Sequence, residues 1–396
     1  MSPLGARQFI GWLTTLLALL LLAPRVGAAQ GLQSPDAVAL DAALAARSTT
    51  VAMVWVEETL DERRLMLRLG PSPEAGNPQR LTAPGQWPAD PAVVLDDAGL
   101  AHIVWVDAPA TSRTPAPATL NYTLASPGNE PVTLALHTSI LPDRPSLPQI
   151  ALDPATGMAR VVWQQGSGSY QVIRTWVQEV DGLGESIALT PPERPGYHVY
   201  PQVFALAPGE ALATWYAFEQ GRLRLKVRDR VAPGEWMPVP ELEAAPIPVD
   251  RLPVIFAQDQ MLEALYADAD RLTRRDLLHA QSLHIPAAPS TLSLPGPGQL
   301  RLPGVSTSAE GLLVSYLRET AEGATLEAAL LASDVSPAGL ASAMPTGIRA
   351  RFSQPLGTAV AGAQAMLNDG VIHLIWWTDI IDGGDGDLRA MIIPLP

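Results

Sequence analysis

Arginine is the side chain best matched to a carboxylate, because its planar guanidinium presents two parallel N–H donors to two oxygens. Four arginines recur in similar company along this chain: Arg144 in DRPSLP, Arg194 in ERPGYHVYP, Arg251 in DRLP and Arg301 in LRLP. Gathered on one surface they would grip an acidic ligand; left apart, they would pair locally with Asp143, Glu193 or Asp250. Tyr197 and His198, followed by Tyr200, add aromatic faces suited to a sugar ring or a peptide. A second chemistry is offered by DIIDGGDGD, where Asp379, Asp382, Asp385 and Asp387 crowd around glycine turns. Clustered carboxylates can wrap a hard cation such as calcium in oxygen ligands. The spacing is not that of an EF-hand and the closing glutamate is missing, so the same residues also read as a solvated hairpin. Calcium is the only cofactor these residues suggest.

Other reactive patterns are missing. There is no HExxH, no GxSxG nucleophile turn, no phosphate-cradling glycine loop and no cysteine at all. His102 and His373 each stand three residues before a tryptophan of a repeated phrase, a shared repeat position that points to structure rather than to a metal pair. The formal net charge of -14 excludes a nucleic-acid partner, which needs a concentrated basic surface. Lys226 is the single lysine among the basic residues, a bias in keeping with a GC-rich bacterial coding sequence.

The elements that must position these groups are announced by a repeat. GLAHIVWVD, from Gly99, returns as GMARVVWQQ from Gly157, GEALATWYA from Gly209 and GVIHLIWWT from Gly370, each with glycine six residues before tryptophan. Looser copies place Trp55, Tyr266 and Tyr316 between them. The aromatic positions 55, 105, 163, 215, 266, 316 and 376 therefore recur about every fifty residues, as in an array of one supersecondary unit. Ahead of each phrase lies another apolar run, opening on Pro91, Pro148, Pro201, Pro253 or Pro303; proline is expected there as the first residue of a strand.

The tryptophan strands are apolar on both faces, since Ile103 and Val104, or Val161 and Val162, are neighbours. Such strands are buried on both sides. With antiparallel pairing this predicts an all-β chain: a seven-bladed β-propeller of about fifty-residue repeats, its blades mostly four-stranded. A parallel β-helix would repeat at shorter periods, and tandem sandwiches would show linkers. The last unit, ending at LRAMIIPLP, lacks a strand, and residues near GLQS, 31–34, are available to supply it.

The RLP of Arg251 and Arg301 resembles the arginine-isoleucine-proline motif of the sialidases, and the repeat resembles the sialidase-like propellers over nearly the whole chain. That resemblance implies a rim of loops around a central channel, with arginines that hold an acidic ligand. The Asp-box of the family is absent here, and no tyrosine-glutamate nucleophile pair can be picked out.

Met1–Ala29 has an arginine-bearing start, an apolar run from Ile10 to Ala23 and small residues at Gly27, Ala28 and Ala29, the layout of a secretory signal peptide. Residues 1–29 are thus expected to be removed, leaving 30–396 as one propeller domain, secreted or in the periplasm or cell envelope, without a membrane span. The expected function is non-catalytic binding of a glycan or protein ligand through the loop rim. A sialidase-like glycoside hydrolase or lyase is the enzymatic alternative, and would need a carboxylate pair at a set separation among groups such as Glu57, Glu219, Asp268 and Glu319. A structural envelope scaffold is the third reading.

Overall fold

Short strands separated by glycine and proline turns can satisfy their backbone only by pairing with sequence neighbours, and this is what the computed structural model shows. It describes residues 30–395 except 35, 110–116, 141–142, 168–169, 179–183, 191–195, 207, 220–221, 233–234, 239–245, 248–252, 259–260, 269–270, 280–289, 294–297, 309–310, 321–322, 333–347, 358–359 and 379–385. Every named element is a strand. After β1 (Gln30–Gly31), a first antiparallel sheet comprises β2 (Val38–Arg47), β3 (Thr50–Glu58), β4 (Arg63–Gly70) and β5 (Gln79–Arg80). The next holds β6 (Pro88–Leu95), β7 (Ala101–Asp107), β8 (Pro117–Ala125) and β9 (Val132–Ile140). Then come β10 (Pro145–Leu152), β11 (Ala159–Ser167), β12 (Tyr170–Gln178) and β13 (Gly184–Ala188). β14 (Tyr197–Phe204), β15 (Leu212–Glu219), β16 (Arg222–Ala232) and β17 (Glu235–Pro238) follow, with β18 (Pro246–Ile247) also pairing β16.

The chain continues with β19 (Val254–Gln258), β20 (Met261–Asp268), β21 (Arg271–His279) and β22 (Ser290–Ser293), and then β23 (Gln299–Ser308), β24 (Gly311–Thr320), β25 (Gly323–Ala332) and β26 (Ile348–Gly357). The last sheet joins β27 (Val360–Asn368), β28 (Val371–Thr378) and β29 (Leu388–Pro394) to β1, whose Gln30 and Gly31 pair with Ala390 and Arg389. The strand missing from the C-terminal unit is therefore supplied from the region of GLQS. Around it, Gln33 bonds Asp387 at 2.8 Å, and Ser34 donates to the fully buried Glu57 at 2.9 Å.

The first strand of each sheet contacts the first strand of the next, from β2 through β6, β10, β14, β19 and β23 to β27, and β27 returns to β2. The sheets thus stand around an axis with their second strands sandwiched, which is why β3 and β7 are buried almost end to end. The repeated aromatic explains the packing. Trp105 joins Val54, Val56 and Leu67 of the preceding sheet; Trp163 joins Val104 and Val106; Trp215 joins Val162; Trp376 joins Leu313 and Leu317. Each side chain is a knob set into the sheet before it, and all four are at most 2% exposed.

The glycine of the phrase turns the chain between first and second strands. Gly99, Gly157, Gly209 and Gly370 have φ of 78°, 69°, 80° and 70°, a left-handed backbone that a side chain resists. The prolines require a correction. Pro253 does precede its strand, but Pro91, Pro148, Pro201 and Pro303 lie inside theirs, at breaks in register. A bulge leaves an amide unpaired, so proline loses nothing there. The residue before the proline takes up the distortion: Asp90, Leu147 and Tyr200 have φ of 50°, 49° and 54°.

Candidate binding site inside the ring

These bulges do more than accommodate proline. On β6, β10 and β14, three successive inner strands, they hold Asp90, Leu147 and Tyr200 at one repeat level, close to where each strand begins. The Asp90 carboxylate accepts the amide of Leu147 at 2.9 Å, tying one sheet's bulge to the next. On β2 the break in register falls between Ala39 and Asp41, which brings Asp41 to the same level. Asp41 is half-buried. Burial, reinforced by the charge of Asp90 and opposed by the Ala42 amide, pushes its pKa up to about 7. The Asp41 carboxyl therefore keeps its proton to higher pH than an ordinary aspartate, which lets it donate a hydrogen bond as well as accept one.

The sign of this coupling gives a prediction. A carboxyl whose pKa is raised on folding supports the fold while protonated, and that support is lost as pH rises from 3.8 through about 7. Asp41→Asn, which keeps an oxygen for Ala42, is expected to match the wild type at about pH 4 and to be more stable at about pH 8, by on the order of 3 kcal/mol. Urea unfolding at both pH values checks it; equal stability at both would remove Asp41 from the pair.

The residues singled out by sequence fare differently. Tyr197 and Tyr200 are 47% and 51% exposed on β14. His198, between them, is half-buried and accepts the Nε1–H of Trp215 at 3.2 Å, so it positions the blade tryptophan; burial lowers its pKa. Arg144 is exposed at the entry to β10, and its carbonyl accepts Gly166 at 3.1 Å. Arg301 is placed only by its backbone, opposite Leu317. Arg194 and Arg251 lie outside the described residues, as do Asp379, Asp382 and Asp385. Asp387, the fourth of that group, bonds Gln33 and Arg389, each at 2.8 Å.

The acids considered for catalysis are not drawn together by the described contacts. Glu57 is buried against Ser34, Trp55 and Arg64, and Glu219 pairs with Lys226 at 3.0 Å. Asp268 and Glu319 close β20 and nearly close β24, with Glu319 half-buried. Asp41 and Asp90 went unnoticed because their signal, an acidic residue at the bulge of a first strand, is visible only once the bulge is known. His102 and His373 share a repeat position with Arg160: His102 meets Tyr122 at 2.6 Å, and His373 is buried with its pKa lowered to about 4.

No family model matches the chain, and no curated protein matches it in sequence. Solved structures do resemble it. Polysaccharide lyase Uly1 superposes with a TM-score of 0.50 at 11% identity, over 89% of this chain and 90% of the lyase. A leech intramolecular trans-sialidase in complex with 2,7-anhydro-Neu5Ac gives 0.49 at 9% identity, over 87% of this chain and 82% of that one. The endosialidase of phage phi92 gives 0.48 at 8% identity, over 94% and 70%. At such identities the likeness concerns fold alone. That of the lyase agrees with the ring of antiparallel sheets: the chain has a β-propeller fold. Among the described residues no helix is long and apolar enough to cross a membrane.

Proposed function

We propose that this chain is an exported seven-bladed propeller that binds a carbohydrate at the mouth of its ring, where the inner strands begin. The observation that carries the reading is the row of bulge residues: an exposed Tyr200, with Tyr197 on the same strand, at the level of the Asp41–Asp90 carboxyl pair. Aromatic rings cover the apolar C–H face of a sugar, and a carboxyl whose pKa is raised, as that of Asp41 is, can give as well as accept hydrogen bonds with neighbouring hydroxyls. An acidic sugar would draw further on exposed arginines such as Arg144. The signal-peptide layout of residues 1–29 supports export of the mature chain.

The raised pKa of Asp41 favours a second reading, general acid catalysis on the same ligand, because a carboxyl that stays protonated near neutral pH is what a glycosidase acid requires. A glycan array with residues 30–396 tests both. Binding that falls at least about tenfold in Tyr200→Ala, with Tm unchanged, is expected. New reducing ends or unsaturated products from a bound glycan would favour the enzyme, and an array without signal would overturn the carbohydrate reading.

A further inference from the structure

We infer that a tetrahedral oxyanion, sulfate or phosphate, binds between the second and third sheets, away from the mouth of the ring, held by His137 of β9, Trp163 of β11 and Arg174 of β12. The site begins with a break in register. His137 pairs with Leu120 and Ala135 with Asn121, so Leu136 is an extra residue in β9. A bulge of this kind re-aims the side chains beside it. Here Leu136 packs against the cluster that holds Trp163 and Trp176, and the next residue, His137, sets its ring 5.6 Å from the Trp163 indole at a tilt of 41°. A half-buried histidine is thereby brought from the outer strand of one sheet against the next.

Three polar groups meet there without acceptors. Trp163 is fully buried and its Nε1–H has no partner, whereas Trp55, Trp105 and Trp215 give theirs to Glu57, Thr123 and His198. The reason lies on the third strand of the sheet. Thr123 stands opposite Ile103, two residues before Trp105; the residue opposite Val161, two before Trp163, is Trp176, which has no oxygen to offer. His137 Nε2 is also buried and without a partner. Arg174, directly opposite Trp163, donates from Nε to Ser186 Oγ at 3.0 Å and from Nη2 to Ser186 O at 3.2 Å, which fixes the guanidinium and leaves Nη1 uncommitted. No carboxylate among the described residues pairs with it, and burial lowers its pKa with nothing to oppose the shift. The His137 pKa is lowered by burial and by the Arg174 charge, so the ring is neutral and a single proton on Nε2 makes it a donor.

Buried donors left unmade cost stability, and a half-buried cation without a counter-charge adds to that cost. One oxyanion answers all of it: its charge complements Arg174, and its oxygens accept from Nη1, from the Trp163 indole and from His137. Three donors carried by three strands call for three oxygens that do not share a line, which a tetrahedral ion supplies and a carboxylate, with two, does not. The net charge of -14 disfavours anions over the molecule as a whole, so retention at this point depends on the local donors.

The test uses residues 30–396 isotope-labelled at the tryptophan nitrogens, titrated separately with sodium sulfate, phosphate, acetate and chloride at equal ionic strength. The indole resonance that disappears in Trp163→Phe is expected to shift saturably with sulfate or phosphate, the tighter of the two identifying the ion, and Tm is expected to rise along the same titration. Arg174→Gln, which can still reach Ser186, is expected to weaken binding by about tenfold or more without lowering Tm in chloride. A resonance that does not move, as a bridging water would give, overturns the inference. So does an equal shift in acetate or chloride, or binding that survives Arg174→Gln.

Discussion

Replacing Trp105 by alanine is expected to remove about 3–5 kcal/mol of unfolding free energy, measured by urea denaturation followed by circular dichroism. Trp105 is 1% exposed and sits on β7 with its ring in the preceding sheet, against Val54, Val56 and Leu67. Truncation would leave a cavity between two sheets that other contacts hold at fixed spacing, so neighbouring side chains cannot collapse into it. The loss is not only apolar. Trp105 Nε1 donates to Thr123 Oγ1 at 3.0 Å inside the core, and Thr123 also meets Thr133 at 2.9 Å, so one member of a buried chain of hydroxyls would lose its donor. Trp105→Phe should cost less than the alanine variant, because part of the ring volume remains. Since the sheets close on themselves through β27 and β2, loosening one contact strains the whole ring, and a single cooperative transition should move. A loss below about 1 kcal/mol would take Trp105 out of the inter-sheet role assigned to it.

That role was legible in the sequence because it is repeated: tryptophan preceded by neighbouring apolar residues at a fixed distance from glycine has one physical reading, a strand covered on both faces. The glycine was equally legible, since Gly99 and its counterparts occupy left-handed turns. Propeller fold and closure by the N-terminal residues followed from the same pattern. What could not be read was the bulge. Proline was expected at the start of each first strand, and only Pro253 lies outside its own, because the pattern cannot distinguish a strand end from an unpaired amide within the strand. The carboxyl pair was hidden with it. Asp41 and Asp90 are 49 residues apart and carry no motif; inner strands of consecutive sheets bring them together. His198 was singled out for its chemistry, but its ring nitrogen receives the Trp215 indole, a cross-strand contact with no sequence signature.

The turns at the opposite end of the sheets make the second strong prediction: Asp153→Ala is expected to cost roughly 3–5 kcal/mol. Asp153 follows β10, 3% exposed, and accepts the amides of Ala155 at 3.0 Å and Thr156 at 3.1 Å within its own turn. It also accepts Gly209 N at 2.8 Å from the next sheet's turn and pairs with Arg160, itself 3% exposed, whose guanidinium reaches Gly209 O at 3.5 Å. Both backbone groups of Gly209 are thus held by one buried ion pair, which makes this a clasp between sheets rather than a cap. Burial alone would raise the Asp153 pKa, but the donors of Gly209, Thr156, Ala155 and Arg160 outweigh it and lower the value to about 2. A carboxylate so lowered stabilises the fold above its unfolded pKa of 3.8, and the contribution is lost as pH falls through about 2. Alanine would leave the Arg160 charge buried without its counterion, which is the expensive half of the change. Asp153→Asn keeps an acceptor for the amides and removes the charge, so its loss should be smaller. Urea unfolding at about pH 7 ranks the three proteins, and the gap between wild type and alanine should narrow below about pH 4. Equal losses in both variants would mean that the amide bonds contribute little and that the charge on Asp153 alone holds the two turns together.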